Sequence, residues 1–293
     1  MRIENYIDHE AFFKEQLKTW ELARKNYEQL THAQLRVMRW RGCDMAVQFN
    51  PARIVSTGAS IDKKTIAERP CFLCSKNRPA EQVAVPMLGR YELLVNPFPI
   101  LPRHFTLPSL QHEPQSIHGS YIDLMHMAKL LPSLFLFYNG PRCGASAPDH
   151  LHFQAGQRGI VPLERDFHRF DTRSGICELQ GYVVRAWAIL SSTAEESERL
   201  FQTLYDTLPY DEESGEPMMN LLAWYEAEEK TFVSIVIPRR KHRPDCYSAE
   251  GEAKCLISPG ALDMGGLIIT PRLEDFERMT PERAQQILSE VGL

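Results

Sequence analysis

The segment Cys143–Gly156, CGASAPDHLHFQAG, sets two histidines and a glutamine at alternate positions behind a run of small residues. Side chains of an extended strand alternate between its faces, so His150, His152 and Gln154 share one face and Leu151 and Phe153 pack behind them. That spacing fits an ordinary half-solvated strand equally well. The loop just upstream, NGPRCGAS at 139–146, decides for chemistry. Gly140 and Gly144 permit close backbone approach, successive N–H groups can form an anion nest, and Asn139, Arg142 and Ser146 can donate hydrogen bonds. A neutral imidazole nitrogen can attack phosphorus while its other nitrogen is held by a hydrogen bond. The Gln154 amide can donate to a phosphoryl oxygen without acting as a strong acid or base.

Outward from this segment, SLFLFYNG (133–140) reads as an apolar strand and residues 117–131 as an amphipathic helix. GRYELLVNPFPILPRHFTLPS (89–109) reads as two strands around a corner, because Pro97, Pro99 and Pro102 cannot all sit inside a ladder. Residues 9–30 have helical periodicity, with Phe13, Leu17, Trp20 and Tyr27 on one face. LRVMRW and DMAVQFNPARIVSTGA read as strands broken by turns. Beyond the histidine strand come the strand YVVRAWAILSS, a helix opened by Thr193 and Glu196, a hairpin turning at Glu226–Lys230, the strand GLIIT, and a last helix with Thr280 as N-cap and Pro281 at its first position. Both halves carry a corner ending in proline and basic residues, LPRHF and IPRRKH. The expected class is α+β, with antiparallel sheets and peripheral helices in two similar halves. The expected division is an N-terminal helical segment and first strand at 1–44, a catalytic half at 45–175, and a second half with the C-terminal helix at 176–293.

Cys71 and Cys74 have the two-residue spacing that lets both thiolates bind one tetrahedral zinc ion. They lie in a polar loop without the helix N-terminus of a redox pair. His104 and His150 are the chosen partners, with His112, His118 and His126 as competitors for the third position. With four protein ligands the metal would be structural, anchoring the start of the strand that carries His152.

Of the chain's 293 residues, 43% are apolar and 24% charged, as in an ordinary globular protein. The net charge of −5, without a long basic run, argues against a nucleic-acid partner. No stretch approaches the ~20 apolar residues of a membrane span, and the N-terminus lacks a signal-peptide core. Seven cysteines, mostly at irregular spacing, then point to a reducing cytoplasm without a disulfide framework.

NPFPILPRHFTLPS followed by YNGPRCGASAPDHLHFQ resembles the histidine-triad superfamily, in the branch of galactose-1-phosphate uridylyltransferase, diadenosine tetraphosphate phosphorylase and the GDP-hexose phosphorylases. That branch carries H-x-H-x-Q, and MNLLAWYEAEEKTFVSIVIPRR and SPGALDMGGLIIT are similar to the C-terminal half of its diadenosine tetraphosphate phosphorylase members. The resemblance implies two histidine-triad-like halves, with His152 as nucleophile, Gln154 and Ser146 in support, and Asn96 and Gly144 at the nucleotide. It also implies zinc held by Cys71, Cys74, a later histidine and His150. Where uridylyltransferases read S-x-P-H-x-H, Asp149 intervenes between Pro148 and His150, and HLHFQ is closer to the GDP-hexose phosphorylases.

The expected activity is that of a nucleotidyltransferase of phosphorylase type. His152 attacks the α-phosphorus of a nucleoside diphosphate sugar, GDP-hexose-like for preference, or of a dinucleoside polyphosphate. Phosphate or a sugar phosphate then accepts the nucleotidyl group. Arg239, Arg240 and Lys241 are candidate acceptor-binding residues, and Arg53 could reach the phosphates. The alternatives are a histidine-triad hydrolase, a zinc-stabilised nucleotide-binding protein without catalysis, and a nucleophile at Cys143. The resembled enzymes are often dimers, which makes a homodimer an expectation.

Overall fold

A computed structural model describes residues 7–40, 43–54, 58 and 63–293. Among the described residues fourteen strands run in chain order: β1 Gln34–Trp40, β2 Cys43–Phe49, β3 Ala84–Met87, β4 Tyr91–Val95, β5 His104–Pro108, β6 Leu134–Asn139, β7 His152–Gln157, β8 Gly175–Glu178, β9 Trp187–Ser191, β10 Tyr210–Asp211, β11 Glu216–Pro217, β12 Met219–Glu226, β13 Thr231–Pro238 and β14 Leu267–Thr270. The helices of ten residues or more are α1 His9–Thr19, α2 Glu21–Leu30, α3 Tyr121–Leu130, α4 Ala194–Tyr205 and α5 Pro281–Val291.

Among the described residues, one antiparallel sheet of nine strands, ordered β3-β4-β5-β7-β6-β12-β13-β9-β8, runs through both halves of the chain. The halves meet where β6 pairs with β12 in the register Asn139↔Asn220 to Leu136↔Ala223. The expected division at residue 175 falls on the first residue of β8. A second sheet, β1-β2-β14, contains a parallel pair, because β14 from the C-terminal half lies alongside β2. A sequence organised by hairpins gives no signal for that long-range pairing.

Local chemistry accounts for the ends of the elements. The helical stretch 9–30 is broken at Trp20, whose backbone is extended (φ −119°, ψ 98°). Thr193 caps α4 by accepting from the Glu196 N–H at 3.1 Å, and Thr280 caps α5 by accepting from the Arg283 N–H at 3.2 Å. The strand read through NPARIVSTGA stops at Phe49; Pro51–Arg53 form a 3-10 turn, and 55–57 and 59 lie outside the described residues.

Each face of the large sheet buries its own core. Leu107, Tyr138, Phe153 and Leu221 share a core with residues of α3 and α4, where the Tyr121 and Phe201 rings stack at 4.0 Å, and Phe105 meets Phe12 and Phe13 of α1. On the opposite face Phe137, Leu222 and Ile235 pack with Val47 of β2, Ile268 of β14 and Leu288 of α5. The second core reaches Phe135 and Phe137 of β6, and beyond it, at β4, β5 and β7, that face looks into a cavity instead. Among the described residues no helix is long and apolar enough to cross a membrane.

Candidate active site

Residues paired across a sheet project to the same side. The ladder pairs Leu94 with Thr106, Thr106 with Gln154, and Gln154 with Phe137. These four, with His152 and Asn139, line a cavity of about 590 Å³. Trp20 and Leu22 of the N-terminal helices, the Phe72–Leu73 loop and the Ser258–Asp263 segment of the C-terminal half form its other walls. Both halves of the chain therefore build one site.

His152 opens β7 and is 4% exposed. Its Nδ1 lies 2.8 Å from the carbonyl oxygen of His150, and only an N–H can donate to that oxygen. The proton is thus fixed on Nδ1 and the lone pair on Nε2. Burial pushes the ring's pKa down to about 4, so it is neutral at neutral pH. Gln115, which the sequence reading passed over, clamps the strand: its Oε1 accepts from the His152 N–H at 2.8 Å, and its Nε2 donates to the carbonyls of His152 and Asn139.

Ser146 and Gly144 line the cavity. The glycines of the loop have a second reason to be there. Gly144 has φ +99°, and a Cβ on it would lie 2.7 Å from the Gly260 Cα; a Cβ on Gly140 would lie 2.9 Å from the Met219 carbonyl oxygen. The close backbone approach they permit is to the C-terminal half of the protein itself. Asn139 joins in, its Oδ1 accepting from the Ala261 N–H at 2.7 Å and from Asn220 Nδ2 at 2.9 Å. Asn96 also lines the cavity, with Nδ2 donating to Thr106 Oγ1 and Oδ1 accepting from the Phe98 N–H.

Four expected binding residues are placed elsewhere. Arg142 turns outward to Asp211 and Glu213. Arg239 is buried, and its guanidinium donates to Asn220 Oδ1 and to the carbonyls of Pro259, Val291, Lys241 and His242. Arg240 reaches the Gly292 carbonyl, and Lys241 pairs with Asp245 and Glu290. The cavity's guanidinium groups are instead Arg53 and Arg69. Arg53 donates to the Phe98 carbonyl at 3.1 Å. Arg69 Nη2 donates to Asp149 Oδ1 at 2.6 Å, its guanidinium lies over the Phe72 ring, and its Nη1 is buried without a partner. Cys143 is no nucleophile candidate here: it is fully buried, and burial pushes its thiol up to about 12.

His150 precedes β7 in a turn and does not share the strand face of His152. Its Nε2 donates to the Ser109 carbonyl at 2.9 Å, leaving the Nδ1 lone pair 3.2 Å from Cys71 Sγ and 3.6 Å from Cys74 Sγ. His112 Nδ1 lies 3.2 Å from Cys74 Sγ. The ligand atoms of Cys71, Cys74, His112 and His150 all lie within 4.8 Å of one another and could hold a metal ion. Although burial opposes it, the side-chain contact with His150 and hydrogen bonds from backbone N–H groups lower the Cys71 thiol to about 6, so the thiolate that a metal requires is accessible. His104 is not part of this cluster. Antiparallel pairing sets His104 beside Gly156 and Pro108 beside His152, so the residues near His150 are those that follow β5, not the one that opens it. Asp149, the inserted residue, sits between the two sites, with one oxygen on Arg69 and the other 3.9 Å from His112 Nε2.

A family model described as a domain of unknown function, DUF4922, matches residues 12–157, which run from α1 to the end of β7. No curated protein matches the sequence. Among solved structures, the yeast Ap4A phosphorylase Apa2 in complex with Ap4A superposes with a TM-score of 0.61 at 16% identity, covering 93% of this chain and 97% of that one. The fold is that of Apa2. Its complex with AMP gives 0.60 over 95% and 96% of the two chains. The ADP-glucose phosphorylase of Arabidopsis thaliana with bound ADP-glucose covers 85% of this chain at 14% identity with a TM-score of 0.39, too distant to build on. The shared fold thus extends over nearly the whole chain, including the half that lacks the HLHFQ motif.

Proposed function

We propose that the protein is a nucleotidyltransferase of phosphorylase type that works through a nucleotidyl-histidine on His152. One observation carries this reading: a buried, neutral imidazole with its proton fixed on Nδ1 presents the Nε2 lone pair to a cavity lined by Ser146, Gln154 and Arg69. Nε2 attacks the α-phosphorus of a nucleotide, a P–N bond forms, and the P–O bond to the leaving phosphate chain breaks. Phosphate then attacks, the P–N bond breaks, and a nucleoside diphosphate leaves. Throughout, Arg69 and Ser146 would bind phosphoryl oxygens through donors aimed at the charge. The full-length likeness to an Ap4A phosphorylase favours a dinucleoside polyphosphate. A nucleoside diphosphate sugar, GDP-hexose first, is the second reading, favoured by HLHFQ.

We assign zinc to the cluster of Cys71, Cys74, His112 and His150, a two-sulfur, two-nitrogen donor set suited to a tetrahedral structural site. It would fix the turn from which β7 departs. Metal analysis of protein purified without chelators should find about one zinc per chain for this four-ligand set; protein without metal would overturn the assignment.

The activity test is a phosphate-dependent screen across radiolabelled dinucleoside polyphosphates and nucleoside diphosphate sugars, with acid-labile, base-stable adducts trapped on the protein. A label on wild type that His152→Ala abolishes supports the reading. Release of nucleoside monophosphate in water without phosphate would make the protein a hydrolase. A label that persists in His152→Ala would move the nucleophile elsewhere.

A further inference from the structure

The position of Gln154 in the cavity raises a question that a side-chain amide always raises: which end, oxygen or NH2, faces the ligand. The hydrogen bonds answer it in two steps. The Ile100 N–H, which can only donate, lies 3.2 Å from His104 Nδ1. Nδ1 is therefore an acceptor, and the ring's one proton sits on Nε2. His104 Nε2 lies 2.9 Å from the Gln154 side chain, so its N–H donates to Oε1 and the amide nitrogen points away from it. A flipped amide would set two donors against each other and leave both unpaired in a buried place.

Packing removes the freedom that would blur this order. His104 is 1% exposed, and its own N–H and carbonyl are both engaged by the Tyr27 hydroxyl, at 3.2 and 2.9 Å. The helix α2 thus pins the histidine backbone, and the turn carrying Ile100 fixes the tautomer. Burial, with the nearby Arg53 charge, pushes the ring pKa down to about 3, which keeps the proton order the same across ordinary pH. Gln154 itself sits on β7 two residues after His152, on the same face of the sheet.

We propose that His104 is a positioning residue that holds the Gln154 amide with both N–H groups toward the cavity, so that the position beside His152 accepts only an acceptor group such as a phosphoryl oxygen. The proposal rests on the nucleotidyl reading for the identity of the ligand, and on the hydrogen-bond order alone for the orientation of the amide. It gives the glutamine of the motif a partner outside the motif, 50 residues earlier in the chain.

Two measurements test it, and they fail separately. The first needs no substrate. In a long-range 1H–15N correlation spectrum of histidine-labelled wild type, His104, assigned by its loss in His104→Gln, should show a protonated Nε2 and a bare Nδ1, unchanged from pH 5 to 8. A protonated Nδ1, or a ring that titrates in that window, overturns the amide orientation whatever the protein's activity. The second uses the adduct rate with the best-labelling nucleotide. His104→Leu should slow it roughly 10–100-fold with the KM little changed, as expected when a reacting group is held less well. His104→Gln, which keeps a donor near the position of Nε2, should recover to within roughly fivefold of wild type on the same argument. Equal losses in both variants at equal melting temperature overturn the positioning role. If wild type labels with no nucleotide, the phosphoryl ligand falls together with the nucleotidyl reading, while the tautomer still decides the amide's orientation.

Discussion

Two corners of the large sheet look alike as text, LPRHF before β5 and IPRRKH after β13, yet they hold their polar groups in opposite ways. At the second corner, Arg239 delivers its donors to Asn220 and to four carbonyls, and the Arg240 and Lys241 side chains are taken up by the Gly292 carbonyl and by Asp245 and Glu290. At the first, His104 is engaged by Ile100 and Gln154 in an order that leaves a donor facing a cavity. The cavity's arginines come from segments with no such motif, and one of them keeps a buried Nη1 unpaired. What separates a binding site from scaffold here is the number of buried donors left uncommitted, not the number of charges.

The largest effect that would break this contrast is at the cavity. His152→Ala should reduce adduct formation by roughly 10⁴-fold or more, as for other covalent nucleophiles, with the melting temperature unchanged. An adduct that survives would make the cavity corner scaffold as well. Next is the scaffold corner itself. Arg239→Ala leaves five oxygens without their donor in a buried place, and should cost about 1–3 kcal/mol of stability for each one that stays unsatisfied, read in urea or thermal unfolding. The fraction that stays folded should keep the wild-type KM for phosphate. A raised KM in folded protein would return Arg239 to the acceptor site.

The same contrast explains what could be read from the sequence. Strand periodicity placed His152 and Gln154 on one face, and turn chemistry placed β5, the β12–β13 hairpin and the caps at Thr193 and Thr280, because these depend on neighbours in the chain. His150 falls off that face because β7 starts at His152 and the strand alternation does not extend into the turn before it. His104 looks like a metal ligand in the sequence because its distance from the cysteines carries no information about strand direction. Once β5 and β7 are known to be antiparallel, His112 is the one that falls beside His150. Arg69, Gln115 and the Ser258–Asp263 wall had no local signal at all; they join the site only through long-range packing. The charges of Arg239–Lys241 were legible, but whether a charge is already paired is a tertiary property.

Two smaller effects sharpen the comparison. Arg69→Ala should lower kcat/KM roughly 10²-fold, the scale of losing one charge-directed donor, and should leave the melting temperature nearly unchanged because its ion pair with Asp149 is partly solvated. Arg69→Lys should not restore the loss: a lysine keeps a charge, but cannot donate to Asp149 and to a phosphoryl oxygen with the fixed fork that a guanidinium provides. Full rescue by lysine would mean that only the charge matters there. Smallest of all is Arg240→Ala. Its side chain makes one hydrogen bond to the Gly292 carbonyl near the protein surface, and its removal should cost no more than about 1 kcal/mol and change no kinetic constant. A kinetic effect at Arg240 that exceeds the effect at Arg69 would reverse the assignment of the two corners, since it would place the working donor at the corner whose buried guanidinium, Arg239, has all three nitrogens engaged.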